Sequence, residues 1–324
     1  MTNHNPPAMS VVLMTPDCYE TIDRAMAHLL AQSLRDQLEI VIVAPSIDKL
    51  EADEAALSAF HSHQVVEVGE IKAVGEANAA GARRARAPVV AFVEEHSYPN
   101  AGWAEALIEA HREPWAAVGP VVGNANGDSL VGWADFLVGY GPWLDPARAG
   151  IRDFLPGHNS SYKLELLLDY GPGLEGMLES ETILHQDLRR RGQQLYQDAR
   201  ARIFHLNFEK LAIWIPAQYC SGRAFAAQRA EHWPLTRRLL YFVGGPVIPL
   251  VRLKRILGQV RGAKRQLAPP AAVWPVLLLG LAVSAGGEMV GYVLGAGDAV
   301  ERRCELEFHR DKYLNSGPRA RSTE

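Results

Sequence analysis

The chain has 324 residues, 48% of them hydrophobic and 22% charged, a composition typical of a globular protein with one large domain or two smaller ones. Its formal net charge of −4 gives no basic footprint, so we expect no nucleic-acid partner. The three cysteines are far apart and form no CxxC pair, which argues against a zinc knot or a disulfide framework and fits a reducing compartment.

Strands and helices alternate along the first part of the chain. Short apolar runs predict strands at residues 10–14, 38–44, 65–68, 89–93 and 116–122. Apolar residues at helical spacing predict helices at residues 19–32, 50–60, 73–86 and 102–111. This alternation predicts an α/β fold with a mostly parallel sheet and helices on both of its faces.

The pattern is less regular further along the chain. Residues 130–140 are aromatic and amphipathic, which predicts a packed helix. Further helices are predicted at residues 164–168 and 178–191, and a last strand at residues 201–206.

A cluster of potential metal ligands follows the predicted strand 89–93. This strand is apolar throughout, as expected of a strand buried on both faces, and it runs directly into Glu94, Glu95 and His96. Open α/β sheets bind their ligands at the carboxyl ends of their strands. Two carboxylates and an imidazole at that point predict a site for a hard divalent cation, with a solvated strand end as the alternative.

The order and spacing of several motifs resemble a family 2 glycosyltransferase with the GT-A fold, over residues 10–208. The first strand followed by Pro16 resembles the opening nucleotide-binding strand of that family, and residues 75–81 look like its "A-x-N-x-G" helix start. Glu94, Glu95 and His96 stand where the family has Asp-x-Asp, and the Pro99 and Gly102-Trp103 that follow match its pattern.

Three later features extend the resemblance. Residues 157–160 resemble the "G-x-N" loop on the acceptor side. Glu179-Ser180-Glu181, followed by Gly192, resembles the "E-D" motif with its closing glycine, and His205 lies where the family often has a histidine. The sequence departs from the family at Ala44 and Pro45, where a pair of aspartates is usual, and at the altered Asp-x-Asp motif.

The resemblance implies a GT-A type, Rossmann-like sheet and a set of site residues. The donor-binding candidates that it implies are Thr15, Pro16, Asp17, Asn78, Glu94 and Glu95. The metal-ligand candidates for Mn²⁺ or Mg²⁺ are Glu95, His96 and His205, with Glu94 as the alternative carboxylate. The acceptor-binding candidates are His158 and Asn159. Glu181 is implied as the general base, and Glu179 as a residue that orients it or holds the acceptor.

The end of the chain has a different character. Residues 223–265 hold ten Arg or Lys and one acid, and residues 271–297 are apolar with one charge, Glu288. We therefore predict a glycosyltransferase domain at residues 1–222 and a helical, membrane-associated region at residues 223–324. The predicted segment 274–294 is long enough to span a bilayer, but an interfacial helix pair and a buried helix closing the head stay open. The polar start of the chain predicts no cleaved signal peptide.

The sequence therefore predicts an enzyme at the cytoplasmic face of the cell membrane. It would move a sugar, with inversion, from a nucleotide-sugar donor to a lipid-linked or polysaccharide-precursor acceptor. The alternative is a non-catalytic nucleotide-sugar or glycan-binding protein on the same scaffold, which the altered aspartates favour. A nucleotidyltransferase would need a glycine-rich, basic phosphate loop, and the segment 15–17 after the first strand is not one.

Overall fold

The computed structural model describes residues 6–262, 269–308 and 310. Parts of the predicted membrane-associated region, including Lys264 and Arg265 of its basic stretch, lie outside these described residues. The strands are β1 Met9–Met14, β2 Leu38–Ala44, β3 Ser62–Glu67, β4 Val89–Val93, β5 Ser97–Pro99, β6 Ala117–Asn124, β7 Gly150–Arg152, β8 Ser161–Lys163 and β9 Leu195–His205. The helices of the first two hundred residues are α1 Asp23–Leu30, α2 Glu54–Leu57, α3 Val74–Arg84, α4 Trp103–Ala110, α5 Leu130–Tyr140, α6 Leu164–Leu168, α7 Leu174–Glu179 and α8 Glu181–Arg190. Those that follow are α9 Leu211–Arg229, α10 Leu235–Gly244, α11 Ile248–Gly262, α12 Val273–Leu294 and α13 Ala299–Phe308.

The first half of the sheet is parallel. Strands β3, β2, β1 and β4 lie side by side in that order, with Val11 opposite both Ile40 and Ala91. Every residue of β1, β2 and β4 is buried, which explains why these strands are almost entirely apolar in the sequence. The exceptions are Ser10 and Glu39, whose side chains are hydrogen-bonded to each other. Helix α3 packs closely on β1 and β2 at Gly81, where a Cβ atom would come within 2.5 Å of the Val12 side chain.

The second half of the sheet is antiparallel. Strand β8 pairs with β4 and β6 in this sense, and β9 pairs with β5 and β7. The predicted α/β class of GT-A type is confirmed, and the sheet is mixed rather than mostly parallel. Three of the antiparallel strands have only three residues, too few to show alternation in a sequence, so strand direction there was not predictable.

The pairing of the short strands positions the site. Ser161 lies opposite Ala91 in the β4–β8 pair, so the loop before β8 reaches the carboxyl end of β4. Ser97 lies opposite His205 in the β5–β9 pair, which brings the end of β9 beside the same point. The ends of β4 and β9 and the start of β8 therefore converge where the acid cluster lies.

Two predicted helices differ from the observed ones. The helix predicted at residues 50–60 is reduced to α2, Glu54–Leu57, which Asp53 caps by accepting the Ala56 N–H. The helix predicted at residues 178–191 is confirmed as α8 from Glu181 to Arg190, but its start is wrong. Residues 178 and 179 end α7, and Ser180 breaks the helix between α7 and α8 with φ −133° and ψ 81°. Glu179 and Glu181 consequently belong to different helices.

The chain forms two compact units. One contains residues 1–123 and 145–205, and the other residues 124–144 and 206–324. The sheet, apart from the last residue of β6, lies in the first unit, and so do all the predicted site residues. The predicted boundary at residue 222 falls inside α9.

The second unit is helical and built around α12. Helices α5, α9, α10 and α11 pack against it. Glycines allow α9 and α12 to approach closely, since a Cβ atom at Gly222 would meet the Ser284 backbone, and one at Gly287 would meet the Tyr219 backbone. Helix α5 buries Phe136 and Tyr140, as expected of a packed helix.

Candidate active site

Two histidines and a carboxylate meet at the carboxyl end of β4. The Nε2 atoms of His96 and His205 are 3.0 Å apart, although the two residues are 109 positions apart in the chain. Oε2 of Glu94 lies 3.6 Å from Nε2 of His205 and 3.9 Å from Nε2 of His96. All three ligand atoms lie within 4.8 Å of one another, and both histidines are buried. The β5–β9 pairing produces this arrangement by placing His205 beside Ser97.

The spacing of these atoms fits a divalent cation. Ligand atoms about 2.1 Å from a first-row metal ion are separated by about 3.0–3.5 Å from one another in octahedral or tetrahedral geometry. The three observed distances are at or slightly above that range. Two imidazole nitrogens with one carboxylate oxygen form a donor set that Mn²⁺ accepts better than Mg²⁺. The residues present therefore fit the predicted divalent metal.

Glu95 lies behind His96 and not among these three. Its Oε1 is 2.9 Å from Nδ1 of His96, and both side chains are buried. An ionised carboxylate only accepts hydrogen bonds, so Nδ1 carries the proton and Nε2 keeps its lone pair. That lone pair is directed at Glu94 and His205. We predicted Glu95, His96 and His205 as ligands with Glu94 as the alternative carboxylate, and it is Glu94 that lies beside the two histidines.

Glu94 is held by residues from two directions. Nδ2 of Asn159 donates to its Oε2 at 2.5 Å, and Oγ of Ser97 donates to the same oxygen at 3.3 Å. Asn159 was predicted to bind the acceptor, which stays a prediction, and its amide contacts the candidate metal ligand Glu94. The antiparallel β4–β8 pair explains this contact, since Phe92 N–H donates to the Ser160 carbonyl and fixes the preceding loop.

Glu181 forms a second centre with His158. Both of its carboxylate oxygens are 2.7 Å from the donating backbone N–H of His158, and its Oε2 is 3.3 Å from Nδ1 of the same residue. Burial raises the pKa of Glu181 to about 7, while the charge and N–H of His158 oppose that rise and the charges of Glu94 and Glu179 add to it. This value suits a general base at neutral pH.

Glu179 makes a contact to another helix. Its Oε2 accepts the backbone N–H of Gly75 at 2.9 Å, at the start of α3. Gly75 is needed there, since a Cβ atom would collide with the backbone of α7. The donor-binding candidate Asn78 is buried on α3, and its Nδ2 has no hydrogen-bond partner among the described residues. Glu179 thus joins α7 to the helix that carries Asn78.

The remaining donor-binding candidates form the turn after β1. Thr15 continues the β1–β2 pairing, since its N–H donates to the Val43 carbonyl, and its hydroxyl donates to the Cys18 carbonyl. The exposed Asp17 accepts from the Cys18 N–H at 2.8 Å. Pro16 lies between them. These three residues lie at the carboxyl end of β1, next to β4 in the sheet.

Sequence reasoning missed the importance of Gly157. A Cβ atom at this position would come within 2.5 Å of Oε2 of Glu181, so a larger residue would displace that carboxylate from its observed position. It also missed the buried neighbours of Glu181, Tyr162 and His185, whose side chains are hydrogen-bonded at 2.9 Å. His185 follows Glu181 by four residues on α8, and that helical spacing was the available signal.

Comparisons with known proteins agree with the resemblance seen in the sequence. The model of the family "Glycosyl transferase family 2" matches residues 10–171, which is half of the chain. A search of curated proteins found no match.

Three solved structures show the range of structural similarity. GalNAc-T7 with UDP, GalNAc and Mn²⁺ is 13% identical with a TM-score of 0.46, and the alignment covers 61% of this chain and 43% of that one. This chain thus spans less than half the length of GalNAc-T7. The mannosyltransferase PcManGT from Pyrobaculum calidifontis, in complex with GDP-Man and Mn²⁺, is 16% identical with a TM-score of 0.48 and 88% coverage of both chains. S. aureus TarS in complex with UDP-GlcNAc is 12% identical with a TM-score of 0.45 and 90% coverage of both chains.

Because all three TM-scores lie below 0.5, the assignment depends on the family match and not on these structures. That match begins at β1, includes the acid cluster and the loop before β8, and ends before α7. The chain therefore belongs to glycosyl transferase family 2, and the prediction of a nucleotide-sugar-dependent glycosyltransferase is confirmed at the level of the family.

Proposed function

We propose that this enzyme binds its nucleotide-sugar donor through a divalent cation held by Glu94, His96 and His205. The observation that carries the proposal is the convergence of these three side chains at the carboxyl end of β4. A divalent cation there would neutralise the negative charge of the leaving diphosphate. Mn²⁺ is our first choice because two of the three ligand atoms are nitrogens.

The protein's own residues prepare this site. Glu95 fixes the tautomer of His96, and Asn159 and Ser97 hold the Glu94 carboxylate by hydrogen bonds. The donor-binding candidates Thr15, Pro16 and Asp17 follow β1 and Asn78 lies on α3, in the same unit as the acid cluster. We propose that they contact the nucleotide.

A donor screen with purified protein tests this proposal. Nucleotide release from UDP- and GDP-sugars would be measured with Mn²⁺, with Mg²⁺ and with EDTA. We expect the rate of nucleotide release to depend on the cation. In Glu94→Ala this rate should fall by about 100-fold or more, because a bound cation contributes several kcal/mol of charge stabilisation. Glu113→Ala, which removes an exposed acid elsewhere in the unit, is the matched control. Equal release with Mn²⁺ and EDTA would reject the metal-dependent mechanism.

We also propose inverting transfer with base catalysis that depends on Glu181. A single displacement at the anomeric carbon requires a base for the acceptor hydroxyl. The raised pKa of Glu181 and its position at the start of α8 support this role. Glu179 then has a positioning role, supported by its contact with Gly75. The proposed acceptor is a glycan or a lipid-linked polysaccharide precursor.

The predicted membrane association is proposed for the helices after residue 222. Leu235, Leu240, Val243 and Leu250 on α10 and α11 are between 62% and 73% exposed, an unusual density of exposed large apolar side chains. Cationic side chains follow within the same helices, among them Arg237, Lys254 and Arg255. Apolar side chains with flanking cations are typical of helices that lie in the interface of an anionic bilayer. We propose the cytoplasmic face of the cell membrane as the location.

An interfacial position is favoured over a membrane span. By length and composition, α12 is the one described helix able to cross a membrane, and half of its most apolar window is buried inside the protein. Its Glu288 is buried and forms an ion pair with Arg252 of α11 at 2.6 Å. A helix covered by its neighbours and carrying a paired carboxylate is better suited to the core of the helical unit than to contact with lipid.

The alternative of a non-catalytic binding protein predicts a different result. Such a protein would bind nucleotide sugars without releasing the nucleotide. The buried carboxylate of Glu181 argues against this alternative. Burying a carboxyl group costs free energy, and a protein that only binds its ligand would have no use for a buried carboxyl group at this position. Donor binding without turnover in the screen would favour this alternative.

A further inference from the structure

The Glu181 carboxylate is covered by the loop before β8. Its side chain is 4% exposed, and both oxygens accept the backbone N–H of His158. Gly157 lies directly against Oε2. A general base must come within about 2.6–3.2 Å of the hydroxyl that it deprotonates. With residues 157 and 158 lying over it, Glu181 is poorly placed to reach a sugar hydroxyl directly.

His158 is a titratable side chain beside Glu181 that is more exposed to solvent than Glu181 itself. Its imidazole is 21% exposed, five times the fraction of the Glu181 side chain. Its buried Nδ1 lies 3.3 Å from Oε2 of Glu181, at ion-pair distance but without a hydrogen bond in this conformation. An ionised carboxylate beside Nδ1 favours the tautomer with the proton on that nitrogen. Nε2, on the other side of the ring, then keeps a lone pair that can accept a proton.

The backbone of His158 is held in a sparsely populated conformation. Its φ is +58°, in the left-handed region that L-residues with a side chain enter at a cost in free energy. This conformation lets the N–H and the imidazole of one residue face the same carboxylate. Such strain persists where the surroundings enforce it, and it is concentrated at functional sites.

We infer that His158 accepts the proton of the acceptor hydroxyl and that Glu181 acts through it, an inference that rests on the proposed function. The acceptor oxygen forms a bond to the anomeric carbon as the bond from that carbon to the diphosphate oxygen breaks. The electron pair of the broken bond leaves with the diphosphate. The hydroxyl proton passes to Nε2 of His158, and the Glu181 carboxylate stabilises the imidazolium. Solvent then removes the proton from the partly exposed ring.

Other titratable groups surround the pair and set its pH response. Glu94 after β4 and Glu179 at the end of α7 raise the pKa of Glu181 by their charge. Tyr162 of β8 stays a neutral phenol, since burial raises its pKa well above the usual value. His185 of α8 stays neutral because burial lowers its pKa to about 3. Glu181, whose pKa burial raises to about 7, is therefore the group of this set that changes charge near neutral pH.

The pH dependence of turnover distinguishes the two possible bases. The probe is nucleotide release to water from UDP-glucose, UDP-GlcNAc or GDP-mannose with Mn²⁺, using whichever donor the wild-type enzyme hydrolyses. The variants are His158→Asn, since asparagine tolerates positive φ and keeps the N–H, and Glu181→Gln. His63→Gln, which breaks a surface pair with Glu54, is the matched control. Unchanged donor affinity and a single cooperative thermal transition show that each variant is folded, and His158→Gly is the second variant at this position.

If His158 is the base, His158→Asn lowers turnover by about 100-fold or more and removes the acidic limb of the pH profile. Glu181→Gln keeps that limb and moves it to lower pH, because the carboxylate no longer stabilises the imidazolium. Nuclear magnetic resonance of the imidazole should show the Nδ1–H tautomer in the wild type. The inference is overturned if Glu181→Gln removes the limb while His158→Asn keeps it and moves it to higher pH. Glu181 would then be the base itself, and the proposed function would stand.

A different result concerns the proposed function. If the wild-type enzyme binds these donors but releases no nucleotide at any pH, the proposed function fails, and the role of His158 fails with it. Turnover by the wild type together with normal turnover in both variants overturns the inference alone.

Discussion

At the residue scale, two adjacent glutamates have separate tasks. Glu94 turns its carboxylate towards His205, whereas Glu95 turns its own towards Nδ1 of His96. One joins the candidate ligand set, and the other holds a ligand in the correct tautomer. Both are carboxylates at a strand end, so their chemistry alone does not distinguish them. The two residues are distinguished by the direction of each side chain in the turn after β4.

This division of tasks predicts unequal effects on metal binding. We expect Glu95→Gln to weaken Mn²⁺ binding by about 10–100-fold, since glutamine can still contact the imidazole but does not fix its tautomer as strongly. Glu94→Gln should weaken binding further because it removes a charged ligand. Isothermal calorimetry with Mn²⁺ and no nucleotide measures both. A stronger loss in Glu95→Gln than in Glu94→Gln would exchange the two roles.

The buried Glu181 predicts a pH-dependent stability difference. Burial raises its pKa in the folded state from 4.5 to about 7, so the folded protein favours the neutral form. The stabilising effect is complete below pH 4.5 and is lost as the pH rises through about 7. Glu181→Gln stays neutral at every pH, so its stability relative to the wild type should rise by about 3 kcal/mol across this window. Urea unfolding of both proteins at pH 5 and pH 8 measures the change.

The opposite slope would have the wild type gaining stability relative to Glu181→Gln as the pH rises. It would mean that the charge and the backbone N–H of His158 lower the pKa of Glu181 more than burial raises it. Asp53→Asn is a suitable control. Asp53 is an exposed cap of α2, outside the site, and should show no comparable slope.

At the scale of elements, three-residue strands assemble the site. Without the β5–β9 pair, His205 would not lie beside His96, and without the β4–β8 pair Asn159 would not reach Glu94. The break at Ser180 is equally important. It lets Glu179 accept a hydrogen bond from Gly75 of α3 while Glu181 accepts one from the backbone of His158. Pairing by short strands thus brings the functional side chains together, and the long buried strands serve as their support.

Helix α10 carries the prediction about the membrane. Leu240→Ser with Val243→Ser replaces two of its most exposed apolar side chains without changing its buried contacts. We expect the double variant to lose most of its co-flotation with vesicles of phosphatidylglycerol and phosphatidylcholine, while donor hydrolysis is kept. Ile47→Ser, an exposed apolar residue of the other unit, is the matched control.

Vesicles without anionic lipid provide the second arm of this experiment. Binding to them should be weaker, and binding to anionic vesicles should fall with added salt, since each Arg or Lys near the surface contributes about 1 kcal/mol. Wild-type protein that does not float with either vesicle would reject the membrane proposal.

At the scale of the whole molecule, charge is divided between two regions. The net charge of −4 conceals a basic stretch after residue 222 and an acidic excess before it. The acids of the first unit include those at the candidate active site, and the cations of the second lie beside exposed apolar side chains. A nucleotide sugar and an anionic lipid surface are both negatively charged. The acidic candidate site would therefore need a bound metal cation to hold its ligand, whereas the Arg and Lys side chains of the second region supply the positive charge themselves.

The sequence by itself determined the parts of this protein that depend on local composition. Strands buried on both faces are mainly apolar, so β1, β2 and β4 were predictable, as was the acid cluster that follows β4. The order of the motifs indicated the glycosyltransferase family, and the family match over residues 10–171 confirms it. The assignment of catalytic and binding roles to individual residues stays a prediction.

Only the tertiary structure decided which side chains meet. A strand of three residues leaves no periodic pattern, so the sequence could not predict that β5 pairs with β9 and brings His205 across 109 positions to His96. Nor could it separate Glu94 from Glu95, since the turn between β4 and β5 sets their directions. The covering of Glu181 by residues 157 and 158 likewise depends on backbone dihedral angles and long-range packing, and neither is encoded in the spacing of residues along the chain.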